Sequence, residues 1–280
     1  MSRPLLLATD LDRTLIPNGP EPEAAGARER FAALCARAEV TLAYVSGRDV
    51  GRIRAAIREW SLPAPDAVIA DVGTSVWWPS PGGDRSGDWR RDSRWDGEIG
   101  AGWGDGGGDR VRGALSGVRG LALQGADRQG PWKASFVGEG GGGSKGGADG
   151  VREAVDEVLA GLGLPVRAIW SVDQVAHEVL LDVLPHGASK RHALTWLHEA
   201  LGIAAADVVF AGDSGNDLEV MGSGLASVLV GNARDAVKAA ARAASAGTPE
   251  QLHLASACYA DGILEGVHHS RPDLARARAR

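Results

Sequence analysis

Short apolar segments alternate with longer helix-type segments over the first 70 residues, and this alternation limits the possible folds more than any other feature. Leu5–Thr9, Val40–Val45 and Ala67–Ala70 have the length and composition of buried strands. Glu23–Ala38 and Val50–Trp60, which lie between them, are predicted helices. A repeated strand–helix order favours a parallel sheet that is covered by helices on both faces. We therefore predict an α/β fold with a doubly wound, mainly parallel sheet.

The same alternation returns near the end of the chain. The predicted elements there are a helix over Lys190–Leu201, a strand over Val208–Ala211, a helix over Asp217–Met221, a strand over Ala226–Val230 and a helix over Ala233–Ala241. Beyond them, Ser270–Arg280 alternates arginine with alanine and leucine, and we expect a frayed, solvated end.

The middle of the chain differs in composition, because glycine and charged residues dominate from Pro79 to about Gly150. The run Gly138–Gly147 has the composition of a mobile linker. The other predicted elements are strands over Lys133–Val137, Val166–Ser171 and Glu178–Leu184 and a helix over Val151–Leu162. A chain of 280 residues exceeds the usual size of one domain. We therefore expect residues 1–79 and 187–280 to form the main domain and residues 80–186 an inserted, smaller α/β domain.

Charge and cysteine content exclude several classes of protein. A formal net charge of −6 argues against a general nucleic-acid binder, which needs a surplus of cations to neutralise phosphates. The only two cysteines, Cys35 and Cys258, do not suggest a disulfide framework, and we expect buried free thiols. No secretory leader and no membrane-spanning apolar segment are apparent, so we expect a cytoplasmic protein without membrane partners.

Two carboxylates follow the first strand directly. Asp10 and Asp12 are separated by one residue and are followed by Thr14. The carboxyl ends of parallel strands open onto the ligand crevice, and two acids this close repel each other unless a cation or a shared proton intervenes. The pair suits Mg²⁺, with one carboxylate free to act as a nucleophile and the other as an acid or base. An acidic turn without function is the alternative for an isolated pair of this kind.

Three further polar groups follow other strands or open a helix. Ser46, Gly47 and Arg48 end the second predicted strand, where a hydroxyl, a backbone N–H and a guanidinium can hold a phosphate. Lys190 opens a helix, where its charge can reach an anion. The segment Gly212–Asp217 places two acids, four residues apart and flanked by glycines, at another strand end.

These four signals, in this order, resemble the haloacid dehalogenase (HAD) superfamily of phosphohydrolases over nearly the whole chain. The resemblance implies a HAD core sheet of Rossmann-like type. It also implies catalytic roles: Asp10 as the nucleophile that forms an aspartyl-phosphate, Asp12 as the general acid and base, and Lys190 as a ligand of the phosphoryl group. Mg²⁺ would be held by the carboxylates of Asp10 and Asp213 and by the backbone carbonyl of Asp12, with Asp217 and Asn216 supporting the metal shell. Thr14, Ser46, Gly47, Arg48 and Asn216 are the residues predicted to bind phosphate or substrate in this domain.

Other segments look like sucrose-phosphate phosphatase in particular. They are Leu42–Arg48, Pro65–Asp66 leading to Val72–Thr74, Pro131–Lys133 and Gly262–Glu265. In that family the insertion is an α/β cap that closes over the active site and contacts the sugar. The resemblance implies that Trp132 and Lys133 lie on a cap strand and bind the sugar, although Trp132 is equally suited to the core of the cap.

The chain also departs from the family pattern. Arg13 stands where a small or polar residue is common, and its side chain would either narrow the site or point away. Arg191 and His192 follow Lys190, where a small residue and an amide are expected. These departures put the identity of the substrate in doubt more than the chemistry.

The predicted function is a Mg²⁺-dependent hydrolysis of a sugar phosphate, with sucrose 6-phosphate as the first choice of substrate. Alternatives within the class are mannosylfructose-phosphate, glucosylglycerol-phosphate or a sugar monophosphate. Outside it stand a metal-dependent glycosyltransferase and a non-catalytic sugar-phosphate-binding partner of a biosynthetic enzyme. A sugar-phosphate synthase is a candidate partner.

Overall fold

The computed structural model describes residues 3–83, 87–138, 145–172 and 178–275. The chain folds into two compact units, of which the larger comprises residues 1–92 and 189–280 and the inserted one residues 93–188. The boundaries expected at residues 80 and 186 differ from these. Residues 80–92 stay with the larger unit because the strand that they contain extends its sheet.

The strands, in chain order, are β1 (Leu5–Thr9), β2 (Val40–Val45), β3 (Ala67–Ala70), β4 (Ser75–Pro79), β5 (Trp89–Arg91), β6 (Leu121–Leu123), β7 (Ala134–Gly138), β8 (Val166–Val172), β9 (Val179–Pro185), β10 (Val208–Gly212), β11 (Ala226–Leu229) and β12 (Leu252–Leu254). The α-helices are α1 (Ala27–Cys35), α2 (Val50–Glu59), α3 (Ser93–Gly100), α4 (Gly107–Leu115), α5 (Lys145–Gly161), α6 (Lys190–Ala200), α7 (Leu218–Met221), α8 (Asp235–Ala244), α9 (Tyr259–Ser270) and α10 (Pro272–Ala275).

One sheet organises the larger unit, with the strand order β12-β11-β10-β1-β2-β3-β4-β5. The strands from β12 to β3 are parallel, and β4 and β5 continue the sheet in antiparallel pairing. In β1, Thr9 lies opposite Ala211 of β10 and Tyr44 of β2. The register therefore brings the residues after β1, β2 and β10 to the same edge of the sheet.

The core of this unit explains why four of the five residues of β1 are apolar. All five residues of β1 are buried, as expected for a central strand that is covered on both faces. Phe31 of α1 and Ile263 and Val267 of α9 are buried in the same hydrophobic cluster as Leu5 and Leu7. This packing fixes the end of β1, from which the acidic residues project.

Several helices differ in extent from the prediction. The helix expected over Glu23–Ala38 is shorter and begins at Ala27. The one expected over Ala233–Ala241 is α8, which begins two residues later. The expectation of a frayed end from Ser270 is wrong as far as Ala275, because Arg271 and Leu274 are buried and α10 forms. Residues 276–280 lie outside the described chain.

The inserted unit has an antiparallel sheet of order β6-β7-β9-β8. Its own hydrophobic core includes Val111, Phe136, Val155 and Leu181. The linker predicted over Gly138–Gly147 is only partly described: residues 139–144 lie outside the described chain, whereas residues 145–147 belong to α5.

The remaining general expectations concern thiols and membranes. Cys35 and Cys258 are free, and both are half-buried rather than fully buried. No helix in the described parts of the chain combines the length and apolarity needed to cross a membrane.

Candidate active site

Asp10 lies at the end of β1, where the backbone fixes it. Its amide donates to the carbonyl oxygen of Ala211 at 2.9 Å, which continues the pairing with β10. Its Oδ1 accepts a hydrogen bond from the amide of Leu11 at 2.7 Å. The side chain is buried, so Oδ2 is the oxygen left to meet a cation or a substrate.

Lys190 supplies a cation to that oxygen. Ser189 begins α6 as its N-cap and accepts a hydrogen bond from the amide of His192, which places Lys190 in the first turn. The Lys190 Nζ lies 2.9 Å from Asp10 Oδ2 and 2.7 Å from Asp217 Oδ1, with only 1% of the side chain exposed. A buried ammonium requires such partners, because an unpaired charge in the interior is very costly.

The loop after β10 completes the cluster. Asp217 Oδ2 accepts hydrogen bonds from the amides of Asp213 and Ser214, both at 3.1 Å, so its orientation is set by the loop backbone. A side chain at Gly212 would place its Cβ 2.5 Å from the Asp217 carboxyl group, so only glycine fits there. Carboxylate oxygens of Asp10, Asp213 and Asp217 lie within 4.8 Å of one another.

This cluster holds more negative charge than Lys190 balances. Burial, together with the carboxylates of Asp217 and Asp213, raises the pKa of Asp10 to about 8 although Lys190 acts in the opposite direction. Burial and Asp217 raise the pKa of Asp213 to about 6. Burial lowers the pKa of Lys190, but Asp10 and Asp217 outweigh it and the net shift is upward. Three buried oxygen ligands with uncompensated charge are the donor set that a hard divalent cation prefers, so the residues fit Mg²⁺.

Asp12 does not take part in that cluster through its carboxylate. Arg48 binds it in a bidentate pair, with Nε 2.7 Å from Oδ2 and Nη2 2.6 Å from Oδ1. Asn18 Nδ2 donates to Oδ1 at 2.6 Å. Three donors on the two oxygens fix the orientation of the carboxylate.

Arg48 is thus a partner of Asp12 in this structure, where the sequence suggested a contact with phosphate or sugar. Ser46, which precedes it by two residues, is buried at the same sheet edge, and its Oγ accepts a hydrogen bond from the amide of Arg48. A Cβ at Gly47 would make only an ordinary contact with Val72 at 3.8 Å, so sterics do not require glycine at that position.

The other residues predicted to bind phosphate lie around the acid cluster. Thr14 is fully buried, and its Oγ1 lies 3.4 Å from Asp213 Oδ1. Asn216 Oδ1 accepts from Lys190 Nζ at 3.3 Å and from the Ser214 hydroxyl at 2.8 Å. Arg191, which departs from the family pattern, is exposed.

Trp132 and Lys133 lie in the inserted unit. They precede β7 and are not on the strand as predicted, because Lys133 pairs only in an isolated bridge with Gly130. The Trp132 indole donates to Asp96 Oδ1 at 3.2 Å, and its ring centroid lies 6.5 Å from that of Trp103. Trp132 therefore packs against the core of this unit, and Lys133 is buried.

A strained turn connects two of the site segments and overlaps Val72–Thr74, for which the resemblance implied no role in the site. Asp71, Val72 and Gly73 have φ values of 52°, 60° and 97°. The amides of Asp71 and Val72 donate to the carbonyl oxygens of Arg48 and Ser46. A valine with positive φ is a rare conformation, and such strain occurs where the surrounding structure enforces it.

Arg13 departs from the family pattern, and in the structure its side chain lies at the acid cluster. Its Nε lies 3.3 Å from Asp213 Oδ2. Asn18 and Asn232, which belong to none of the predicted site motifs, hold its backbone. Their contacts join residues up to 219 positions apart, so no local pattern could have revealed them.

Known proteins match this chain over most of its length. A model of the sucrose-6F-phosphate phosphohydrolase family matches residues 3–271. A HAD-like hydrolase of Nitrosococcus oceani is 36% identical over 281 residues, which cover 98% of this chain and 73% of the relative. Mannosylfructose-phosphate phosphatase of Agrobacterium fabrum is 27% identical over 268 residues, which cover 94% of this chain and 96% of the relative.

Solved structures agree on the fold. The sucrose-phosphatase of Synechocystis, in complex with sucrose and phosphate, matches with a TM-score of 0.74 at 24% identity, covering 96% of this chain and 98% of that one. The mainly parallel sheet with an inserted α/β unit is therefore the HAD fold. Since the family model spans nearly the whole chain, the chain belongs to the sucrose-6F-phosphate phosphohydrolase family and is a phosphatase of the HAD superfamily.

Proposed function

We propose that the protein is a Mg²⁺-dependent phosphatase that converts sucrose 6-phosphate to sucrose and phosphate through an aspartyl-phosphate on Asp10. The contact between Asp10 Oδ2 and the buried Nζ of Lys190, at 2.9 Å, carries this proposal. It places a nucleophilic oxygen beside a fixed positive charge that can hold a phosphoryl oxygen. Positioning and charge neutralisation supply most of the catalysis in phosphoryl transfer.

The reaction has two steps at Asp10. In the first, a carboxylate oxygen of Asp10 forms a bond to phosphorus, the bond from phosphorus to the sugar oxygen breaks, and Asp12 gives that oxygen a proton. In the second, water attacks phosphorus, Asp12 takes a proton from the water, and the bond to Asp10 breaks to release phosphate. The pairing of Asp12 with Arg48 and Asn18 holds its carboxylate in one orientation, which supports a role in proton transfer.

Asp10, Asp213 and Asp217 would hold the magnesium ion, since their oxygens already lie close together. When bound, the ion neutralises negative charge on the transferring group. Lys190 remains paired with Asp10 and Asp217 and contributes the second fixed positive charge.

The choice of sugar rests on the family. The match to the sucrose-6F-phosphate phosphohydrolase family supports sucrose 6-phosphate, whereas the relative from Agrobacterium fabrum acts, by its name, on mannosylfructose-phosphate. Trp132 and Lys133 remain predicted sugar contacts. A sugar-phosphate synthase is proposed as the metabolic partner, because a phosphorylated sugar must be supplied by an enzyme that makes it.

Phosphate release from a panel of esters tests the proposal. We expect the highest kcat/KM on sucrose 6-phosphate, ahead of mannosylfructose-phosphate, glucosylglycerol-phosphate and sugar monophosphates, and no release after chelation of divalent cations. Asp10→Asn should lower kcat by about 10³-fold or more, because it removes the nucleophile. Asp235→Asn, a change at a fully exposed acid of α8, is the matched control and should leave kcat unchanged.

Other outcomes would favour the alternatives. Faster turnover of another ester would reassign the substrate within the class. Tight binding of sugar phosphates without phosphate release would favour a non-catalytic binding partner. Transfer from a nucleotide-sugar would favour a glycosyltransferase, and full activity of Asp10→Asn would contradict the proposed nucleophile.

A further inference from the structure

Arg13 has an unusual backbone conformation that its neighbours hold in place. Its φ is 57°, in the left-handed region that non-glycine residues rarely adopt. The amide of Arg13 donates to Asn18 Oδ1 at 2.8 Å, and its carbonyl oxygen accepts from Asn232 Nδ2 at 2.6 Å. Two side chains thus fix this one peptide segment, and the direction of the Arg13 side chain is set with it.

The guanidinium group of Arg13 lies between two carboxylates. Its Nε is 3.3 Å from Asp213 Oδ2, and its Nη2 is 3.9 Å from Glu21 Oε2. Nη2 also donates to the carbonyl oxygen of Asn232 at 3.4 Å. Glu21 in turn accepts a hydrogen bond from the hydroxyl of Tyr259 at 3.2 Å. With only 22% of its side chain exposed, Arg13 divides its charge between Asp213 and Glu21.

Arg13 therefore changes the charge that a divalent cation would meet. Asp10, Asp213 and Asp217, when ionised, contribute three negative charges, and Lys190 returns one of them. A divalent cation would make this set neutral. The nearby guanidinium adds one positive charge, which repels the cation but favours an anion beside it. Asp213 thus faces two competing partners, the cation and Arg13.

We propose that Arg13 is a positioning residue that lowers the affinity of the acid cluster for its divalent cation, because it holds Oδ2 of Asp213. Glu21 opposes this effect by drawing the guanidinium group away from Asp213. The positive charge of the Arg13 guanidinium group also favours binding of the negatively charged phosphate group of the substrate. The proposal rests on the proposed function only in taking the cation as the cofactor of the phosphatase.

Direct titration with Mn²⁺, followed by electron paramagnetic resonance on the full chain without substrate, tests this role without turnover. Arg13→Gln should tighten Mn²⁺ binding by about 3- to 10-fold, because a repelling charge near the ion is removed. Glu21→Gln should weaken binding by about 2- to 5-fold, because Arg13 then acts fully on Asp213. In the Arg13→Gln background, Glu21→Gln should change the Mn²⁺ affinity by less, since Glu21 acts through Arg13.

Arg30→Gln is the matched control, because Arg30 makes an exposed pair with Asp261 and should not change the affinity. Unchanged or weaker binding in Arg13→Gln would overturn the proposal, as would tighter binding in Glu21→Gln. Glu21 is partly exposed, so its variant tests the same claim if Arg13→Gln fails to fold. If the wild-type protein bound no Mn²⁺, both this proposal and the proposed cation site would be wrong. Equal Mn²⁺ affinities of the wild-type protein and Arg13→Gln would contradict only the role of Arg13.

Discussion

In the proposed mechanism Asp12 serves both as an acid and as a base, and its pairing with Arg48 bears on both roles. As an ionised group it is held by two nitrogens of Arg48 and one of Asn18. To act as an acid it must gain a proton, and the bidentate pair must then open. Asp12 is also 39% exposed, so a substrate can reach it. In the proposed mechanism, Arg48 would therefore orient the carboxylate that moves protons in both steps.

A double-mutant cycle measures this control. General acid and base catalysis contributes about 10²- to 10⁴-fold, so Arg48→Gln should lower kcat on the sugar phosphate by about 10-fold or more. In an Asp12→Asn background the same change should alter kcat by less than about 2-fold, because Arg48 then has no carboxylate to orient. Hydrolysis of p-nitrophenyl phosphate, whose leaving group needs no proton, keeps the slow variants measurable.

Two comparisons make the cycle decisive. Arg30→Gln removes a similar arginine–carboxylate pair elsewhere and should leave kcat at the wild-type value. An equal loss from Arg48→Gln in the presence and absence of Asp12 would show instead that Arg48 contacts the phosphate directly.

At the scale of elements, the turn over Asp71–Gly73 ties the loop after β2 to the start of α6. Its amides bind the carbonyl oxygens of Ser46 and Arg48. On its other side, a Cβ at Gly73 would lie 2.3 Å from the carbonyl oxygen of Ser189. Since Ser189 caps the helix that carries Lys190, the turn sets the spacing between two of the segments expected to bind phosphate.

Gly73→Ala should therefore displace the start of α6. We expect a loss of stability of about 2–4 kcal/mol, from the clash together with the strain of alanine at positive φ, and a fall in kcat through Lys190. Gly224→Ala is the matched control, because Gly224 has a φ of 86° but open space around its Cβ position. It should cost about 1 kcal/mol and leave kcat unchanged. Chemical denaturation and kcat measure both effects, and equal losses in the two variants would refute this role of the turn.

The strands that carry the site could be predicted, because a central strand buried on both faces is mostly apolar along its length. β1, β2 and β3 have the predicted ends, and β10 extends the prediction by one residue. Helix α9 was missed, since Gly262 and Gly266 lower helix propensity. Packing demands them: a Cβ at Gly266 would lie 2.2 Å from the side chain of Val228. Tertiary contact thus overrides the local preference.

Part of the candidate site could also be predicted from the sequence, and part could not. Asp10, Lys190, Asp213 and Asp217, which follow strands or open a helix, lie close together in the structure, while their catalytic and metal-binding roles stay predictions. The arginine partners could not be predicted, because they depend on side-chain directions. The pair of Arg13 with Asp213 joins residues 200 positions apart and requires a backbone conformation that no sequence pattern indicates.

At the scale of the whole molecule, the acid cluster links folding to pH and to cations. The pKa values of Asp10, about 8, and Asp213, about 6, exceed the ordinary value of 3.8. At pH values between 3.8 and about 8, these carboxyl groups therefore bind more protons in the folded protein than in the unfolded chain. Its stability is therefore greatest at low pH as far as these groups are concerned, and it falls as the pH rises towards about 8.

Thermal unfolding with and without Mg²⁺ tests this linkage. In protein freed of divalent cations, Tm should fall between about pH 6 and pH 8. Saturating Mg²⁺ should raise Tm, and by more at pH 8 than at pH 6, because the ion needs ionised carboxylates. The variant Asp213→Asn should lose much of the Mg²⁺ effect. If Mg²⁺ raised Tm equally at pH 6 and pH 8, Asp10 and Asp213 would not be ligands of the ion.

The central claim, a covalent intermediate on Asp10, can be tested by trapping it. The enzyme is mixed with sucrose 6-phosphate and Mg²⁺, quenched in acid within the first turnover, digested and analysed by mass spectrometry. We expect one phosphoryl group on the peptide that contains Asp10. The group should be absent from Asp10→Asn and should be lost at the rate at which phosphate appears. Turnover of the substrate with no adduct, or with an adduct on another residue, would contradict it.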